Sequence, residues 1–74
     1  MTPLQCRLGR TALSWTFRQL GRKANVSGNT VSRFETGKTA LPSTIMVMQR
    51  ALEVAGVEFT NGDALHVRVR RREK

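Results

Sequence analysis

The sequence predicts an all-α domain of four to five short helices, closed by a C-terminal β-hairpin. Three observations carry that expectation. Apolar residues recur at helical spacing between Pro3 and Ala55. Helix-starting residues (Pro3, Thr16, Ser27, Pro42) alternate with helix-stopping ones (Asn25, Gly37, Gly56). Beyond Gly56 the apolar period shortens to strict alternation, which is a strand pattern.

Pro3 suits the first turn of a helix, where its missing N–H has no partner to lose. Leu4, Cys6, Leu8, Arg10 and Leu13 follow, and Cys6, Arg10 and Leu13 are expected to face inward. Ser14 and Trp15 are expected to end this helix, with Trp15, the sole Trp, packed between the first helix and the second. Thr16 caps the second helix through its hydroxyl. Leu20, Gly21 and Ala24 continue at helical spacing until Asn25, which tolerates the left-handed conformation and redirects the chain. Val26 fills the corner, Ser27 caps a third helix from Gly28 to about Thr36, and Gly37 stops it. A side chain at Gly21 would hold these two helices apart.

The third helix has two unlike faces. Val31 and Phe34 point toward Leu20 and Ala24, whereas Gly28, Asn29, Ser32, Arg33 and Thr36 point away. A short polar face of that kind fits the major groove, where Arg pairs with guanine and Asn with adenine. Arg33 is the first expected base reader, Asn29 the second, and Ser32 or Thr30 the third; Gly28 lies on the same face.

These residues carry a resemblance. The run Leu20-Gly21-x-x-Ala24-Asn25-Val26-Ser27-x-x-Thr30-Val31-Ser32-x-Phe34-Glu35-x-Gly37 resembles the helix-turn-helix of the Cro/C1-type (XRE) DNA-binding proteins, and the similarity extends from about Leu4 to Val57. It implies a lambda-repressor-like helix-turn-helix domain. It also implies an ion pair between Arg10 in the first helix and Glu35 near the end of the recognition helix. The loop after Gly37 would then lie along the sugar–phosphate backbone, with Lys38 and Thr39 as phosphate donors. Two positions depart from the family pattern, which usually has Gln where Phe17 stands and a polar or long side chain where Gly28 stands. The DNA-backbone set expected from the whole reading is Thr16, Phe17, Arg18, Arg22, Thr36, Lys38 and Thr39. Arg18, Arg22 and Lys23 serve equally as solvated surface in a structural reading.

Pro42 opens another helix, running to about Ala55 with Gly56 beyond it. Leu41, Ile45, Met48, Leu52 and Ala55 form an apolar stripe read as core, while Val47 and Val54 lie off it. Phe59 then precedes a turn signal at residues 60–63, and Leu65, Val67 and Val69 alternate with His66, Arg68 and Arg70. A lone hairpin is marginal and its edge invites pairing. Val47, Val54, Phe59, Leu65, Val67 and Val69 are therefore the expected interface of a homodimer. Residues 1–56 make the helix-turn-helix domain, 57–70 the hairpin and 71–74 a basic tail.

The chain has 74 residues, 13 Lys and Arg, and 5 acids, a formal charge of +8. That balance points to a polyanionic partner, double-stranded DNA first. One His, one Cys and scattered acids offer no catalytic constellation, metal cluster or cofactor site. No membrane span or signal peptide is visible, no small-molecule ligand is expected, and a reducing cytoplasm is the natural home; the family resemblance implies a bacterial cell. The expected function is a transcriptional regulator that binds inverted-repeat operators as a homodimer and represses by occlusion. The alternative is an antitoxin, or an adaptor for a regulatory protein partner, built on the same domain.

Overall fold

The computed structural model describes residues 1–59 and 66–70. Four helices, α1 (Pro3–Ala12), α2 (Phe17–Ala24), α3 (Gly28–Glu35) and α4 (Pro42–Val54), are followed by strands β1 (Val57–Glu58) and β2 (Arg68–Val69). The strands pair antiparallel with Val57 opposite Val69 and Glu58 opposite Arg68. The expected all-α architecture with a small C-terminal two-stranded element is thus present. The turn at 60–63, Leu65 and the tail at 71–74 lie outside the described residues.

Each helix start follows from its local sequence. Thr2 and Thr16 cap α1 and α2, and each takes part in a reciprocal capping box, with Gln5 and Gln19 respectively. The Thr16 Oγ1 accepts from the Gln19 N–H at 3.1 Å, while Gln19 Oε1 accepts from the Thr16 N–H at 2.7 Å. Ser27 caps α3, its hydroxyl oxygen accepting from the Thr30 N–H at 3.1 Å. The first helix is shorter than the sequence suggests: Leu13 is already its C-cap and Ser14 turns left-handed at φ 59°. That reversal lets the Trp15 N–H reach the Arg10 carbonyl at 3.0 Å.

Cys6, Leu20, Ala24, Val31, Phe34, Met48, Leu52 and Val57 form the buried core. It lies where α2 packs on α3 and α4, with α1 closing over α3 and α4 and β1 lying on α4. The inward face of α1 is Gln5, Cys6 and Gly9, with Leu13 only half-buried and packed against the core. Gly9 matters because Val57 lies directly above it; an added Cβ would meet the Val57 Cγ1 at 3.2 Å. One expectation is corrected. Leu41 is 69 % exposed rather than core, because it is the extended N-cap of α4 (ψ 143°), so the helical phase of the stripe does not apply to it.

A second finding concerns the strands. Phe59, Val67 and Val69 are partly buried and packed against the chain's own core. Part of their apolar surface is covered within the protomer, whereas Val47 and Val54 are exposed. Arg70 also pairs with Glu58 at 2.8 Å, but both side chains are open to solvent, and such pairs contribute little.

Candidate nucleic-acid interface

The turn between α2 and α3 sets their relative pose. Asn25 is left-handed (φ 62°, ψ 41°), and the Val26 N–H donates back to the Gly21 carbonyl at 2.8 Å. The chain then doubles over α2 so tightly that a Cβ on Gly21 would stand 2.6 Å from the Val26 carbonyl oxygen and 2.9 Å from the Gly28 nitrogen. Only glycine fits, because the obstructing atoms are backbone. At its far end α3 closes on Gly37 (φ 93°), with the Gly37 N–H on Phe34 and the Lys38 N–H on Arg33, both at 3.0 Å. This paired closure satisfies carbonyls that a helix end otherwise leaves open.

Arg10 and Glu35 lock α3 from behind. The Arg10 Nε lies 2.7 Å from Glu35 Oε2 and its Nη2 3.0 Å from Oε1, a bidentate pair. The remaining terminal nitrogen, Nη1, donates to the Trp15 carbonyl at 2.8 Å, and the guanidinium sits 4.3 Å from the Phe17 ring centroid. The Glu35 side chain is 4 % exposed and that of Arg10 14 %, so the pair is largely removed from water. The hydrogen bond to Glu35 holds the Arg10 pKa above its ordinary value despite burial. Cys6 adds a third contact, its thiol donating to Glu35 Oε2 at 3.4 Å. One guanidinium therefore ties α1, the first turn of α2 and the end of α3 together.

The Cys6 thiol is pushed up to about 12, first by burial, then by the negative charge and hydrogen bond of Glu35. The folded state holds this proton more tightly than the unfolded chain does. The thiol's contribution to stability is therefore complete below the unfolded value near 9 and is lost as pH rises toward about 12. Cys6 is expected to resist thiol reagents in the native protein at pH 8 and to react at once in denaturant. Cys6→Ala should flatten the alkaline part of a stability-versus-pH curve measured by urea unfolding. Rapid native labelling would contradict this placement.

The exposed side of α3 carries Asn29, Arg33 and Thr36, with Ser32 half-buried at its edge. Among the described residues, the Asn29 and Arg33 side chains have no protein partner. Thr30 and Thr36 are already engaged: Thr30 Oγ1 shares a hydrogen bond with Ser27 at 2.9 Å, and Thr36 Oγ1 donates to the Arg33 carbonyl at 2.9 Å. Gly28 faces the first turn of α2, where an added Cβ would lie 3.1 Å from the Arg18 nitrogen and Cα. Its role is close approach of the two helices, and it presents no side chain to a base. Thr16, Phe17, Arg18 and Arg22 are exposed on α2 and its cap, while Lys38 and Thr39 are exposed beyond α3. Phe17 is 39 % exposed and also covers the Arg10 guanidinium.

A rigidly braced helix with an open polar face, beside a flanking helix and a loop that each expose cations, defines a helix-turn-helix DNA-binding domain. A family model described as a helix-turn-helix domain matches residues 6–61. The chain belongs to that family, within the Cro/C1 (XRE) class, whose members are typically not enzymes. Comparison with curated proteins gave no significant match. Among the described residues, no helix is long and apolar enough to cross a membrane. Sequence reasoning missed Gln5, Gln19 and the Cys6–Glu35 contact. The two glutamines were readable, since Thr-x-x-Gln before an apolar run is a capping-box pattern.

Proposed function

We propose that this DNA-binding protein is a sequence-specific transcriptional regulator that inserts α3 into the major groove of double-stranded DNA. The observation that carries the reading is the pair of Asn29 and Arg33, both exposed and unpartnered among the described residues, one turn apart on a helix fixed from behind. Arg33 reads guanine and Asn29 adenine through bidentate hydrogen bonds, with Ser32 at the edge of the same surface. Arg18, Arg22, Lys38, the Thr16 and Thr39 hydroxyls and the first turn of α2 hold the phosphates, which sets register without reading sequence. Two protomers on an inverted repeat place their recognition helices about 34 Å apart. Because Phe59, Val67 and Val69 pack on their own core and each chain carries +8, the duplex itself brings the copies together. The protein works in the cytoplasm, at the nucleoid, without a cofactor, and occupying a promoter excludes polymerase and represses.

A mobility-shift titration on the gene's own upstream region tests this. Wild-type protein is expected to prefer the specific duplex over a scrambled one. Arg33→Ala should remove about 1–3 kcal/mol of that preference and leave non-specific binding nearly intact. Equal weakening on both duplexes would reduce Arg33 to a phosphate contact.

A further inference from the structure

We propose that the open apolar groove between the C-terminal ends of α1 and α2 and the outer side of α4 docks an acidic amphipathic helix of a partner protein. The groove has a volume of about 650 Å³, and its apolar lining includes Leu13, Trp15, Val47, Ala51 and Val54. No residue of α3 lines it, so it is separate from the surface assigned to DNA and stands independently of that assignment.

Shape and charge together select the occupant. Val47, Arg50, Ala51 and Val54 fall at i, i+3, i+4 and i+7, one face of α4 about 10 Å long. Val47 is 41 % and Val54 72 % exposed, which is surface that α4 leaves uncovered in the protomer. An amphipathic helix is recognised by laying its own apolar face into a hydrophobic groove of this kind. Lys23 and Arg50 border the groove, and none of its lining residues is acidic. The Lys23 ammonium lies 5.9 Å from the Trp15 ring centroid, so a cation is held at the aromatic wall. A helix with carboxylates flanking an apolar stripe meets both features. A second copy of this chain would offer an apolar stripe but no carboxylates, and it would bring the same two cations and a charge of +8 to the contact. Residues 71–74, three basic and one acidic, have the wrong sign as well.

Trp15 is the sole Trp and stands in the groove wall, so its emission reports occupancy. The full chain is titrated with a synthetic helix of about four turns, carrying leucines at i, i+3, i+4 and i+7 and glutamates beside them. A saturable, salt-weakened shift in emission is expected. Arg50→Glu and Val54→Glu should each weaken it by about tenfold or more, with the circular dichroism and the DNA mobility shift of Val54→Glu unchanged. A companion peptide with lysine in place of glutamate should not bind the wild-type chain and should gain affinity for Arg50→Glu. Three results would overturn the proposal. They are no response to the acidic peptide, equal response to both peptides, or a wild-type dimer at micromolar concentration in sedimentation that Val54→Glu dissolves. The last would assign the groove to a second copy.

Discussion

Replacing Arg10 with alanine is expected to lower the unfolding free energy by about 3 kcal/mol or more. The loss comes less from the missing attraction than from what remains. Among the described residues the Glu35 side chain, 4 % exposed, would keep only the Cys6 thiol as a donor. A carboxylate in that position must ionise without a counter-charge or take up a proton, and either route costs free energy. The Trp15 carbonyl loses its guanidinium donor and Phe17 loses the cation beside its ring. Because these contacts brace both ends of the helix-turn-helix, the variant should also bind duplex DNA more weakly at temperatures where it is still folded. Urea unfolding followed by circular dichroism measures the first effect and a mobility shift the second. A change below about 1 kcal/mol, the range of exposed pairs, would mean that water compensates Glu35. Replacing both residues by apolar side chains of similar size should recover much of the stability but not the fixed pose, since paired removal leaves no stranded charge.

Gly21→Ala is expected to be the other severe substitution. A methyl group there meets the Val26 carbonyl oxygen at 2.6 Å and the Gly28 nitrogen at 2.9 Å. Neither atom belongs to a flexible side chain, so relief requires α2 and α3 to separate or the Asn25 turn to open. Overpacking of this kind costs about 1–3 kcal/mol or more. It would displace the first turn of α3, where Asn29 sits. Gly9→Ala is the internal comparison, because its nearest neighbours are the Val57 methyl groups at 3.2 and 3.4 Å, which shift more readily. Thermal melts of the two variants should rank Gly21→Ala well below Gly9→Ala. The reverse order would mean that the turn is more yielding than its hydrogen bonds suggest.

The contrast between these residues shows what a sequence discloses. Asn25, Ser27 and Gly37 were legible because each acts through its own backbone preference, and a left-handed or capping position is a local property. Gly21 was legible for a related reason, since a tight turn four residues later leaves no room above it. The Arg10–Glu35 contact spans 25 residues, and nothing local joins the two; family resemblance supplied the expectation. Cys6 as a third member was hidden, because a thiol within a helical apolar pattern reads as a small core residue. The apolar stripe of α4 was correct from Met48 to Leu52 and wrong at Leu41, where the backbone is extended and helical phase has no meaning. The strand alternation marked Phe59, Val67 and Val69 as one apolar side, but alternation does not say whether another chain or the protein's own helices cover it. In the protomer β1 packs on α4 and β2 on α1, which covers part of that side.

Gly28 illustrates a different limit. On a helical wheel it falls with the outward residues, yet an added Cβ would stand 3.1 Å from the Arg18 nitrogen and 3.3 Å from the Phe17 carbonyl carbon. The wheel describes one helix alone, whereas the approach of α2 removes part of that arc from solvent. The open polar surface of α3 is therefore narrower than the wheel suggests and centres on Asn29 and Arg33. Phe17 and Gly28 form one joint: the ring shields Arg10, and the missing side chain lets α3 start beside it.

The decisive measurement is a nuclear magnetic resonance titration of isotope-labelled protein with the upstream duplex of the mobility-shift test, at a salt concentration that suppresses non-specific contacts. The largest shifts should fall on Asn29, Ser32, Arg33 and Thr36, with smaller ones on Thr16 to Arg18 and on Lys38 and Thr39. Val47 and Val54 should stay unmoved. Shifts concentrated on α4 or the strands, with Asn29 and Arg33 silent, would show that α3 is not the element that meets DNA.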